Sequence, residues 1–174
     1  NMIFNIKNIF KNGEEKESTR SVKNFREIYT RMLDIDPDNI AFVLKQPNKN
    51  KAEAPVYVNV TSKDFYEDIV SLGKVLLDFK KTGKERYGLI TNNRYEWPLI
   101  YLAVTSGIGS IVPLDYMLSE EELLKSINRI ELDYLFYTKK HEKFVEKIIK
   151  EKLAPSIRKY ILIDNVRTKK EIEE

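Results

Sequence analysis

Two short runs stand where an α/β protein keeps its chemistry, in the turn that leaves a strand and enters a helix. Thr91-Asn92-Asn93-Arg94 follows the apolar stretch Tyr87-Gly88-Leu89-Ile90. Its amides and guanidinium could line a ligand crevice, while the simpler reading has an Asn there capping the following helix. Asp115-Tyr116-Met117-Leu118 follows the next apolar stretch, Ser110-Ile111-Val112-Pro113-Leu114. Asp115 can contact a ligand or simply make the turn. Thr105-Ser106-Gly107-Ile108-Gly109-Ser110 resembles a phosphate loop only in composition. A phosphate cradle needs strand, glycine-rich turn and helix start in that order, with a Lys after the glycines. Here a helix comes first and a strand after, so Gly107 reads as a helix stop.

His141, the single histidine, follows Lys139-Lys140 and has no carboxylate paired with it in sequence; it reads as a solvated surface residue. Glu120, Glu121 and Glu122 sit in a first helical turn, where the dipole favours negative charge without any catalytic role.

These runs need elements to hold them. Strands alternate with helical stretches from Tyr87 onward, with further strands at Asp133–Tyr137 and Tyr160–Ile163. Parallel neighbours require a long crossover, so the pattern predicts an α/β fold, a parallel Rossmann-like sheet of βα units with flanking helices. In such sheets ligands gather at the carboxyl ends of the strands. A short amphipathic helix from Val22 to Leu33 (Phe25, Ile28, Tyr29 and Met32 on one face) and a β-hairpin precede the sheet. The hairpin pairs Ile40–Leu44 with Val56–Val60 across an exposed connection from Gln46 to Pro55.

Thr61 with Asp64 and Ser119 with Glu122 form capping boxes. The first opens a helix carrying Phe65, Ile69, Leu72, Leu76 and Phe79, with Gly83 as its left-handed stop. Trp97, Ile100, Tyr101, Val104 and Ile108 mark the buried face of a helix that Pro98 forces to begin between Arg94 and Glu96. A last helix runs from His141 to Leu153, and Pro155 closes it.

Composition narrows the classes. The 174 residues are 42% hydrophobic and 33% charged, as in a globular protein with one core. The 30 basic and 27 acidic residues are interspersed and no basic stripe with aromatics occurs, which argues against nucleic acid. With no cysteine, thiolate metal sites and thiol nucleophiles are excluded. No apolar run reaches the length of a membrane span and no signal peptide is visible, so the cytoplasm is the expected compartment. Ile3, Ile6 and Phe10 could form a membrane-facing stripe, but the segment is short and weakly basic, and packing on the domain suits it better.

Three segments are expected: residues 1–20 as a tag remnant and flexible start, 21–164 as an N-terminal α/β subdomain, and 165–174 as the start of a truncated continuation. The last ends in charged helix-like sequence without a cap.

Thr91-Asn92-Asn93-Arg94-Tyr95-Glu96-Trp97, Tyr101-Leu102-Ala103, Gly107, Val112-Pro113-Leu114-Asp115 and Ser119-Glu120-Glu121-Glu122-Leu123 together resemble the amino-terminal part of the adenylate-forming (AMP-binding) enzymes. Within them the chain looks most like a long- or medium-chain fatty acyl-CoA synthetase, over roughly Phe25 to Leu162. The resemblance implies ATP, Mg2+ and CoA as cofactors, a fatty acid as substrate, and a two-step ligase reaction through an acyl-adenylate. It places Asp115 and Tyr116 on the CoA side and leaves peripheral membrane contact open. The family's phosphate loop, adenine and ribose motifs and mobile-domain lysine are not in these residues. The fragment alone is therefore expected to be inactive, with no catalytic residue and no metal ligand of its own, and to need the missing C-terminal part of the same chain. The alternative is a stand-alone, non-catalytic Rossmann-like module that binds a ligand or partner.

Overall fold

The computed structural model describes residues 22–45 and 55–165. The expectations for residues 1–20, for most of the hairpin connection and for the tail past Asn165 lie outside the described residues, as does the Ile3–Phe10 stripe. Eleven principal elements follow in the order α1 (Phe25–Ile35), β1 (Ile40–Lys45), β2 (Tyr57–Thr61), α2 (Ser62–Leu77), β3 (Arg86–Ile90), α3 (Glu96–Thr105), β4 (Ser110–Leu114), α4 (Glu120–Ile130), β5 (Tyr134–Tyr137), α5 (Glu142–Glu151) and β6 (Lys159–Leu162). Single 3-10 turns occupy Lys139–His141 and Ile163–Asn165.

The hairpin β1–β2 is antiparallel, and the other four strands form one parallel sheet in the order β4-β3-β5-β6. Side chains alternate across the strands, so Tyr87, Leu89, Tyr134 and Phe136 enter one core with α1, α2 and α3. Ile90 and Leu135 enter a second core with α4 and α5. Helices on both faces explain why these strands read as continuous apolar runs.

Both capping boxes form. Thr61 accepts from the Asp64 amide and Ser119 from the Glu122 amide, while each acid bonds back to the cap amide. Gly107 terminates α3 with φ 107°, and the Ile108 and Gly109 amides both donate to the Val104 carbonyl.

Several expectations change. Helix α1 begins at Phe25 because Asn24 caps it, accepting from the Glu27 amide, and it continues to Ile35. Of its predicted apolar face Tyr29 is buried, while Phe25 and Ile28 are exposed. Helix α2 stops at Leu77, well before Gly83, so Phe79 lies outside it. Gly83 does have φ 77°, but its amide donates to the Glu85 carboxylate (2.8 Å). That buried acid organises the turn, and the helix does not reach it. Helix α3 starts at Glu96, inside the expected window, yet Tyr95 occupies its cap position without a side-chain bond. Asn92 and Asn93 are thus not caps. Helix α3 is apolar nearly all round because it lies between the sheet and the pair α1–α2, with Phe25 edge-on to Tyr101 at 5.8 Å.

Candidate functional site

The order β4-β3-β5-β6 reverses direction at β3. Helix α3 leaves β3 for one face, and α4 and α5 lie on the other. Right-handed crossovers then open a crevice between the carboxyl ends of β3 and β5, the place where open α/β sheets take ligands. Ile90 pairs with Tyr137, so the next residues, Thr91 and Thr138, stand side by side at the floor of this opening. Both are buried. The Thr91 hydroxyl donates to the Asn92 carbonyl (3.2 Å), and the Thr138 hydroxyl lies 3.4 Å from His141 Nδ1.

Arg94 sits on the rim. Its Nε and Nη2 donate to both oxygens of Glu96 (2.7 and 2.6 Å), and its Nη1 donates to Asp164 Oδ1 (2.7 Å). The other Asp164 oxygen accepts the Lys139 amide (2.7 Å). Hydrogen bonding to Glu96 raises the guanidinium pKa against partial burial, and Asp164 adds to the effect. Burial would raise the Asp164 pKa, but the bonds from Arg94 and the Lys139 amide bring it below the usual carboxylate range. The clamp therefore ties the β3–α3 turn to the ends of β5 and β6. A ligand phosphate would have to compete with two carboxylates for this cation.

The other helical face gathers the second predicted run. The β4–α4 and β5–α5 turns leave toward the same side and meet. Lys140 Nζ lies 4.8 Å from the Tyr116 ring centroid and donates to the Tyr116 carbonyl (3.3 Å). Asp115 is exposed, and its Oδ1 accepts the Met117 amide (2.9 Å), which makes it the organiser of the turn. Tyr116 is half-buried behind Lys140.

His141 corrects the surface reading. It is buried beside Thr138 with 7% of its surface exposed, since the 3-10 turn after β5 folds its ring inward. Burial and the Lys140 charge hold its pKa below the ordinary value, opposed by a bond to the Tyr116 backbone and by Glu120. No sequence spacing marked His141, because the Tyr116 backbone that meets it comes from the β4–α4 turn.

Sequence reasoning also missed the locking of Tyr95, whose hydroxyl donates to Asp68 Oδ2 (2.7 Å) in the core and whose pKa burial drives upward. Tyr95 packs on Phe42 (5.2 Å) and Phe65 (5.7 Å), so the turn after β3 is held on the hairpin side as well. Among the described residues no group of three His, Cys, Asp or Glu could hold a metal ion. Neither turn carries the run of glycines and hydroxyls that a triphosphate requires. These residues by themselves do not fit ATP and Mg2+.

A parallel sheet whose strand order turns at β3, with helices on both faces, defines an open α/β domain. The chain belongs to the AMP-binding enzyme family, whose model matches residues 35–174. Among solved structures it is similar to the inhibitor-bound N-terminal domain of FACL13 from Mycobacterium tuberculosis. That match has 15% identity and a TM-score of 0.70, and covers 83% of this chain and 34% of that one. It is also similar to the anthranilate CoA ligase AuaEII in complex with anthranoyl-AMP, with 16% identity, a TM-score of 0.67, and 86% and 27% of the two chains covered. A fatty acyl CoA synthetase of Mycobacterium tuberculosis matches with 15% identity, a TM-score of 0.64, and 82% and 27% covered. At such identities the likeness shows the fold, which is that of the N-terminal part of adenylate-forming enzymes. The chain spans about a third or less of the length of these structures. No curated protein matches it significantly.

Proposed function

We propose that this chain is the amino-terminal α/β part of an ATP-dependent fatty acyl-CoA synthetase. In that reaction a fatty carboxylate attacks the α-phosphate of ATP, releasing pyrophosphate and forming an acyl-adenylate, and the CoA thiol then displaces AMP. The supporting observation is the pairing of the family match with a switch-point crevice whose own residues lack a phosphate loop and a metal cluster. The domain supplies a rigid wall, and the charge-neutralising groups for ATP and Mg2+ come from the remainder of the enzyme. On this reading the described part is inactive alone.

Asp115 and Tyr116 belong to the CoA side. Their turn lies at a strand carboxyl end, and the adjoining Lys140 adds a cation suited to a phosphorylated ligand. Asp115 acts there by shaping the turn, and Tyr116 offers its ring. ATP–pyrophosphate exchange on the full-length protein, with fatty acids of several lengths, tests the assignment. Exchange that depends on the fatty acid is expected, and its absence with every carboxylate tried would remove the reading.

A further inference from the structure

We propose that a second groove, between α1, α2 and the end of α3, binds a small amphipathic carboxylate, remote from the crevice. Crossover helix α3 runs back along the sheet, so its last residues lie at the amino ends of the strands, opposite Thr91 and Thr138. The groove encloses about 400 Å³, within the range of small-molecule pockets. Its floor is apolar, with the buried Ile69, Ala103 and Ile108 among the lining residues. Three cations, Arg26, Lys74 and Lys80, line it, and among the described residues no carboxylate does.

Two of those cations are held in place. Arg26 Nη2 donates to the Ser106 carbonyl (2.7 Å), and Lys80 Nζ donates to the Gly107 carbonyl (2.8 Å). These bonds satisfy two carbonyls just past the last turn of α3 and leave further N–H donors on both side chains. The groove thus joins positive charge to hydrocarbon. Arg26 and Lys80 offset the negative carbonyl end of α3, and their remaining N–H donors together with Lys74 leave a modest positive surplus beside hydrocarbon, which suits a singly charged head on an apolar body.

A second observation concerns Gly73, which lines the groove from inside α2. Glycine in a helix interior costs about 1 kcal/mol relative to alanine. A Cβ built on Gly73 meets nothing within 4 Å, so packing does not require glycine there. What its absent side chain preserves is open volume between the cations and the floor.

The test is a titration of the 15N-labelled full chain with octanoate, followed through the amides of Gly73 and Gly107. Saturable shifts at both are expected. Gly73→Leu, read at Gly107, should weaken the apparent affinity by about tenfold or more by filling the groove, and Lys74→Glu should do so by reversing a rim charge. Lys74 anchors no carbonyl, so it carries the test if Gly73→Leu does not fold. No shift at Gly73 and Gly107, unchanged affinity in the variants, or equal binding of octyltrimethylammonium or inorganic phosphate would overturn the proposal. Shifts at Thr91 and Thr138 report the crevice separately, and the acyl-CoA synthetase reading stands or falls on ATP–pyrophosphate exchange, so the two failures are distinguishable.

Discussion

At the amino end of β3, Glu85 is a carboxylate with only 2% of its surface exposed. Four donors replace solvent: the amides of Lys81 (2.9 Å), Thr82 (2.7 Å) and Gly83 (2.8 Å), and the Thr82 hydroxyl (3.1 Å). Burial alone would raise its pKa, but these bonds together outweigh it and bring the value down to about 2 from 4.5. The folded pKa lies below the unfolded one, so the stabilisation is complete above about pH 4.5 and is lost as pH falls toward 2. Glu85→Gln turns an amide NH2 toward donors and should cost about 1–3 kcal/mol at neutral pH. Urea midpoints measured between pH 2 and 7 check both claims, since the variant's curve should flatten across the acid window. Arg94 allows a parallel argument. Arg94→Lys keeps the charge but loses the planar fork on Glu96, and its ion pairs are partly solvated, so about 1 kcal/mol of destabilisation is expected in the same assay.

The elements were readable to different degrees, and the differences have local causes. Helix α4 carries its whole specification in its own sequence. Ser119 and Glu122 cap it, three acids fill its first turn, and Leu123 and Ile127 alone are buried. Ser119→Ala should therefore destabilise the fold by about 1 kcal/mol through the lost cap, visible as a lower urea midpoint with an unchanged slope. The central strands β3 and β5 were equally legible, since both of their faces are buried and each ends at a polar turn. Helix α2 was misread at its end because Gly83 has the left-handed backbone of a helix stop, while its amide serves an acid two residues on. His141 was misread because nothing near it in sequence reports the Tyr116 backbone, from another turn, that helps enclose it.

On the scale of the whole molecule, the two faces of the sheet hold different things. The face of α1, α2 and α3 carries the aromatic packing around Phe42, Phe65 and Tyr95 and the cation-rimmed groove. The face of α4 and α5 carries the meeting of the Tyr116 and Lys140 turns. Between them the crevice has a fixed floor. If the turn after β4 lies on the CoA side, Tyr116→Ala in the full-length enzyme should raise the KM for CoA several-fold while leaving ATP–pyrophosphate exchange nearly unchanged. Steady-state kinetics with CoA varied, set beside exchange rates, separate that outcome from a general loss of fold. No helix among the described residues is long and apolar enough to cross a membrane.

Residue order alone determined the βα alternation, both capping boxes, the Gly107 stop and the placing of two polar turns at strand ends. Hydrophobic period, cap chemistry and backbone preference act over a few residues, so they can be read there. The strand order that opens a crevice at β3 and β5, the capture of Arg94 by Glu96 and Asp164, the burial of His141 and the groove beside Gly73 were decided only by tertiary structure. Each joins side chains from separate elements, and its free energy comes from burial and hydrogen bonding that exist once the sheet has brought those elements together.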